Sequence, residues 1–157
     1  MKKIIITAID EERGIGKDGD IPWHYSEDMK FFKEKTMNNP VLMGRKTYES
    51  LPEDYRPLPG RKNIVLTRSG KKFDESVSKA NSLEEAFEIA DKHGDKVFIA
   101  GGSSVYEQTL EKADKVIITR IPGKHDCDSF FPELDNSWKI EKEIELGPIK
   151  AEEYIKS

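Results

Sequence analysis

Asp28 is placed by helical spacing beside Tyr25 and Phe32, because residues three and four apart share a helix face. Glu27, Lys30 and Glu34 fall on the wetter side. A carboxylate on an apolar face costs free energy unless something pairs it. Stabilising the helix N-terminus would account for an acid here, at ~0.3–1 kcal/mol, but Glu27 already supplies that. A ligand with two adjacent N–H donors would satisfy both oxygens at once. A ligand anchor and a core-edge carboxylate both stay open on this pattern. Just upstream, Ile21-Pro22-Trp23-His24 puts a tryptophan in an exposed loop, where it could shield such a site.

Two glycine corners suggest a second ligand. Val97–Ala100 reads as a strand, Gly101-Gly102 as a tight turn, and Ser103-Ser104-Val105-Tyr106 as a helix start. Glycine lets the backbone approach a ligand, and the first amides of a helix are unpaired donors. That combination suits a dinucleotide pyrophosphate, although a turn that merely closes the corner would look the same. It is neither the G-x-G-x-x-G fingerprint nor a P-loop. In Val41-Leu42-Met43-Gly44-Arg45-Lys46-Thr47 a glycine again precedes a helix start, now with two cations and a hydroxyl in the first turn. Positive charge there is unfavourable to the helix, and an anionic ligand would relieve the conflict. Two such turns on neighbouring strands would clamp one dinucleotide. Thr67-Arg68-Ser69 follows a third strand with a guanidinium and two hydroxyls, a set suited to a phosphate monoester. A dinucleotide with a 2′-phosphate, NADP rather than NAD, fits it; an ordinary turn with an exposed arginine is the competing explanation.

The elements that must position these groups alternate. Strands are expected over Lys2–Ile9, Pro40–Met43, Asn63–Thr67, Val77–Lys79, Lys96–Ala100 and Lys115–Ile121. Helices are expected from Glu27 to Thr36 with Ser26 as cap, over Arg45–Ser50, from an S-x-x-E capping box at Ser82 and Glu85 to about Lys92, and over Ser103–Lys112. Asp10–Asp20 reads as a turn-rich stretch and Pro52–Gly60 as a loop. Trp138–Glu145 and Ala151–Ile155 read as a closing hairpin around Gly147-Pro148. The expected fold is a single α/β domain over residues 1–157. Its central sheet is twisted and mostly parallel, with flanking helices and an antiparallel C-terminal hairpin.

Composition narrows the functional class. A chain of 157 residues with 36% charged and 36% hydrophobic residues is one soluble domain with its apolar residues in periodic runs. No stretch reaches the ~20 apolar residues of a membrane span, and Met1-Lys2-Lys3 leads straight into a strand with no leader pattern. The net charge of −4 disfavours nucleic acid as a partner. Arg45 to Lys72 holds eight Lys or Arg against three acids, a local +5 that leaves −9 on the remainder, and so suggests a small anionic ligand. The single Cys127 cannot form an internal disulfide, which points to a reducing compartment, the cytoplasm. Acids on either side of it raise a thiol's pKa. The three histidines lack metal-ligand spacing, and no metal is expected.

Four motifs in order resemble the dihydrofolate reductase family over essentially the whole chain. They are Gly16–Phe32 (GKDGDIPWHYSEDMKFF), Met43–Ser50 (MGRKTYES), Pro57–Asn63 (PLPGRKN) and Ile99–Tyr106 (IAGGSSVY). The resemblance implies NADPH-dependent reduction of 7,8-dihydrofolate to tetrahydrofolate, by hydride transfer to pterin C6 and protonation at N5. It implies that Asp28 binds the pterin with Thr119 in support, that Trp23 belongs to the catalytic group, and that the Ile6 and Ala8 backbone lines pterin and nicotinamide. Phe32 and Leu51 would sandwich the p-aminobenzoyl unit and Arg61 would hold the glutamate α-carboxylate. Gly44, Arg45, Lys46, Thr47, Thr67 and Arg68 would hold the cofactor's phosphates and ribose. Gly101, Gly102, Ser103, Ser104, Val105 and Tyr106 would cradle pyrophosphate and nicotinamide ribose, and Ile15, Gly16 and Ile21 would form the lid. Antifolates are expected to compete at this site, and the chain to act as a monomer.

The sequence departs from the family's commonest forms at Ile21, at Ser103 in place of a third glycine, and at the small insertion Glu53-Asp54-Tyr55, which brings acids toward the glutamate tail. A riboflavin-pathway reductase of the same fold and a sensor that binds NADPH without turnover are the alternative readings. The Pro22-Trp23 and Asp28 cluster points away from the first.

Overall fold

The computed structural model describes residues 1–157. Its strands are β1 (Lys2–Ile9), β2 (Gly14–Gly16), β3 (Pro40–Gly44), β4 (Lys62–Leu66), β5 (Ser78–Ala80), β6 (Lys96–Ile99), β7 (Lys115–Arg120), β8 (Ser129–Phe130), β9 (Trp138–Leu146) and β10 (Ile149–Lys156). The helices are α1 (Ser26–Thr36), α2 (Arg45–Ser50), α3 (Leu83–Asp91) and α4 (Ser103–Thr109). Eight strands form one sheet in the order β5-β4-β3-β6-β1-β7-β10-β9. The first six run parallel, and β10 is antiparallel to both its neighbours, so the closing hairpin lies at one edge as expected.

Alternation along the strands divides the core between the two faces of the sheet. Ile5 and Ile9 of β1 point to one side, where Ala86 and Ala90 of α3 and Val105 and Tyr106 of α4 cover them. Ile4 and Ile6 point to the other, against Phe31 of α1 and Tyr48 of α2. A parallel strand is buried on both faces, and this is why β1 reads as a continuous β-branched run.

Several local expectations are corrected. Ser26 is the first residue of α1, not its cap; Tyr25 holds the cap position and no side chain bonds there. Within the turn-rich stretch Asp10–Asp20 a short strand not expected from the sequence, β2, pairs with β8. Ser82 does cap α3, accepting from the Glu85 amide at 3.1 Å. Glu85 returns its carboxylate to the Asn81 amide, one residue before the cap. The expected helix Ser103–Lys112 stays α-helical to Thr109 and tightens to a 3-10 turn over Leu110–Lys112. The insertion Glu53–Tyr55 forms another 3-10 turn.

Position 28 is fixed by the way α1 is held. Phe31 and Thr36 are its buried residues, whereas Asp28 and Phe32 are only half-buried. The stripe of Tyr25, Asp28 and Phe32 therefore faces a cleft rather than the core. Glu27 is not on the wet side either: its carboxylate lies close to Gly147 in the hairpin turn. Lys35, in the last turn of the helix, reaches the buried Glu153 of β10 at 3.0 Å. Burial alone would raise the Glu153 pKa, but hydrogen bonds from Lys35 and Lys115 bring it below the usual range. Glu153 thus stays ionised and ties α1 to the sheet.

Candidate active site

One large cleft crosses the C-terminal ends of β1, β3, β4 and β6, the place where parallel α/β sheets bind ligands. Its volume is about 1720 Å³, well above the ~300–1,000 Å³ of a pocket for one small molecule. There is room for two ligands side by side.

The two glycine corners meet at its floor. β3 and β6 are neighbours in the sheet. The Gly44 amide donates to the Gly101 carbonyl at 2.8 Å, and the Ala100 amide to the Leu42 carbonyl at 2.8 Å. The expected clamp is therefore one continuous backbone surface. A side chain on Gly102 would lie 3.2 Å from the Thr47 hydroxyl, so the two helix starts are almost in contact. Gly101 has φ +113°, and a side chain there would press on the Tyr106 ring at 3.3–3.4 Å. Tyr106 is buried and donates to the Ile6 carbonyl at 2.8 Å. Gly101→Ala is expected to cost roughly 1–3 kcal/mol through backbone strain, with further loss from displacing this tyrosine. A thermal melt should show Tm lower by several degrees, and NADPH should restore less of it than in the unmodified protein.

Cations collect at the β3–β4 end. Arg45, Lys46, Thr47, Thr67 and Arg68 all line the cleft. Arg45 is not left to a ligand alone, as the conflict at the start of α2 suggested: Glu49 pairs with it at 3.0 Å and with Lys71 at 2.7 Å. The Lys71 ammonium is the main reason the Glu49 carboxyl sits below its ordinary pKa. Arg68 has no such partner and is exposed. Asn81, Ser82 and Leu83 join this end of the cleft and were not anticipated. They come there through the fold: the Thr67 amide donates to the Ala80 carbonyl and brings the end of β5 to the same edge.

At the other end lie Ile6, Ala8, Trp23, Asp28, Phe32, Leu51 and Arg61. Burial raises the Asp28 pKa, and the Thr119 hydroxyl opposes part of that shift. Thr119 itself is buried in β7 and meets the Asp28 carboxylate through its hydroxyl. Arg61 donates from Nε to the Pro59 carbonyl at 2.9 Å and from one terminal nitrogen to the Thr36 hydroxyl at 3.2 Å. Buried Asn63 bonds Leu58 on both its backbone groups and the Arg61 carbonyl, which fixes the loop that carries this arginine. Of the insertion, Tyr55 lines the cleft, as does Pro52 just before it; Glu53 and Asp54 lie between them and are exposed.

Ile15, Gly16 and Ile21 line the cleft from the lid side, with Ile21 58% exposed and thus uncovered. Trp23 is half-buried rather than exposed, and its indole N–H is buried without a partner. A buried donor left free inside a cleft is a group waiting for a ligand atom or a water. Cys127 lies outside the cleft. Its thiol is pushed up by burial and then by Asp10, an acid far away in sequence; adjacent Asp128 contributes less. No group of three or more metal-ligating side chains comes together.

Comparison with known proteins agrees with this geometry. The family described as "Dihydrofolate reductase" matches residues 3–154. Dihydrofolate reductase HdrB of Haloferax volcanii is 38% identical over 144 residues, which cover 88% of this chain and 74% of that protein. Dihydrofolate reductase of Bacillus subtilis is 38% identical over 136 residues, covering 86% and 79%. A bifunctional dihydrofolate reductase-thymidylate synthase of Daucus carota is 44% identical over 151 residues, but the matched region spans only 28% of its length. A solved structure of dihydrofolate reductase from Enterococcus faecalis, complexed with NADP(H) and RAB-propyl, superposes with a TM-score of 0.88 at 36% identity, covering 99% of this chain and 96% of that one. This chain belongs to the dihydrofolate reductase family.

Proposed function

We infer that the cleft carries out the family's reaction, NADPH-dependent reduction of 7,8-dihydrofolate to 5,6,7,8-tetrahydrofolate, with the roles that follow. The observation that carries the reading is the joint presence in one cleft of the half-buried Asp28 carboxylate and a phosphate-suited glycine and arginine floor.

The residues present fit the cofactor. The fused corner at Gly44, Gly101 and Gly102 has no side chains in the way of a pyrophosphate, and the first turns of α2 and α4 offer amides and hydroxyls from Thr47, Ser103 and Ser104. Thr67 and Arg68 suit the 2′-phosphate. When bound, NADPH supplies a hydride to pterin C6.

The protein's own contribution is placement, charge and exclusion of water. Asp28 grips the pterin through two adjacent N–H groups and is the acid nearest the reacting ring. The Thr119 hydroxyl bonds that carboxylate and favours its charged form. Trp23 lines the same cleft, and its buried N–H has no protein partner. Phe32 and Leu51 pack the p-aminobenzoyl unit, and Arg61, its fork half occupied by Thr36 and Pro59, meets the α-carboxylate. Ile15, Gly16 and Ile21 close over the nicotinamide.

The chain acts as a cytoplasmic monomer, and antifolates compete for Asp28. No helix is long and apolar enough to cross a membrane. The test is a parallel assay of absorbance at about 340 nm, the reduced cofactor's band. Oxidation of NADPH with dihydrofolate and none with a pyrimidine substrate is the expected result. Binding of NADPH without oxidation would contradict it.

A further inference from the structure

The group that fixes Trp23 lies outside the cleft. Asp10, at the end of β1, is buried. Its carboxylate accepts the amides of Glu12 at 2.9 Å, Gly14 at 2.8 Å and His125 at 3.0 Å. Burial alone would raise its pKa, but these bonds and the imidazole hold it below the ordinary range. It is therefore an ionised acceptor, and a carboxylate can only accept. His125 Nδ1 lies 3.3 Å from it, so Nδ1 is the protonated nitrogen and the ring is anchored at that edge. The ring then meets the Trp23 indole edge to face, with centroids 5.0 Å apart and planes at 66°. Aromatic pairs favour this arrangement. Trp23 sits between the lid and α1, the two elements that must close around the pterin.

We propose that His125 is a positioning residue for the reaction, anchored by Asp10 and holding the Trp23 indole, with its unpaired N–H, against the cleft. The inference rests on the role given above to Trp23. It links two distant stretches of chain, since Asp10 and His125 are separated by 115 positions. Removing the ring frees the indole to tilt, and misplacement by about an ångström at a reacting site can cost up to about a hundredfold. The phosphate-binding groups Arg45, Thr67 and Arg68 belong to other elements, so cofactor affinity is spared.

Two substitutions separate the contacts. His125→Asn keeps an N–H donor near the position of Nδ1 and loses the ring. His125→Phe keeps the ring and loses the bond, while Asp10 retains its three backbone donors. His125→Asn is expected to lower kcat/KM for dihydrofolate about tenfold and to leave the NADPH KM within about twofold. His125→Phe should recover to within about threefold. In a Trp23→Phe background the loss from His125→Asn should shrink to under about twofold, because contacting residues are not additive. With Trp138→Phe removing the only other tryptophan, His125→Asn should shift the Trp23 emission to the red. Equal losses in the two backgrounds, or a loss explained wholly by a lowered Tm, would overturn the inference while leaving the role of Trp23 intact. Full activity in Trp23→Phe alone would overturn that role and the inference with it, even if the emission shift showed the indole had moved.

Discussion

Asp28→Asn is expected to lose at least about a hundredfold in kcat/KM for dihydrofolate at neutral pH, the lower end of what a positioned acid contributes. The amide keeps the shape but cannot hold a charge-assisted pair to two N–H donors, nor supply a proton. Rates should recover in part at acid pH, where the substrate arrives already protonated at N5. Equal rates in both proteins across the pH range would remove Asp28 from the mechanism. The same substitution should raise stability. Burial lifts the Asp28 pKa above its ordinary value of 3.8 in the folded protein. Below that value both folded and unfolded chains hold the proton, and the site costs nothing. As pH rises past it the unfolded chain ionises first, so stability falls until the folded pKa is passed, then stays level. The Tm of Asp28→Asn should therefore exceed that of the unmodified protein by a margin that opens above about pH 4 and stays constant after the folded group ionises. The site is held at a cost in stability, as functional sites often are.

Arg68→Ala is expected to raise the KM for NADPH by roughly 10–100-fold, as losing one or two charge-assisted bonds to a phosphate would. The KM for NADH, which lacks that phosphate, should change by less than about twofold. Parallel titrations with the two cofactors check this directly. Arg68 is the group to remove because Arg45 is already partnered by Glu49, which also holds Lys71, whereas Arg68 faces the cleft without a protein carboxylate. A loss of equal size with both cofactors would move the 2′-phosphate elsewhere.

The parts of this site legible in the sequence were those with a local signal. Gly44 and Gly101-Gly102 stand out because each ends a strand and opens a helix, but their adjacency is set by the fold, which pairs β3 with β6 across the two strands between them in sequence. Asp28 was legible as an anomaly of helical periodicity, but periodicity cannot say whether a half-apolar stripe faces core or cleft. Phe31, one step around the helix, took the core. The strands β2 and β8 were invisible because three and two residues carry no period. The buried pair Glu152 and Glu153 on β10 reads as a solvated edge until Arg120, Lys35 and Lys115 are seen to neutralise them. Thr119 comes to Asp28 from β7, far off in sequence, so its support of that carboxylate has no local signal and rests on the resemblance. His125 carried no signal, since its partners Asp10 and Trp23 are brought to it only by the tertiary fold.

A crystal structure of the ternary complex with NADP+ and folate tests the account most directly. Both Asp28 oxygens should lie about 2.7–3.2 Å from the pterin's N3 and 2-amino nitrogens. Nicotinamide C4 should stand about 3–3.5 Å from pterin C6, above the Gly44 and Gly101 corner. A pterin bound away from Asp28, or a nicotinamide pointing out of the cleft, would contradict it.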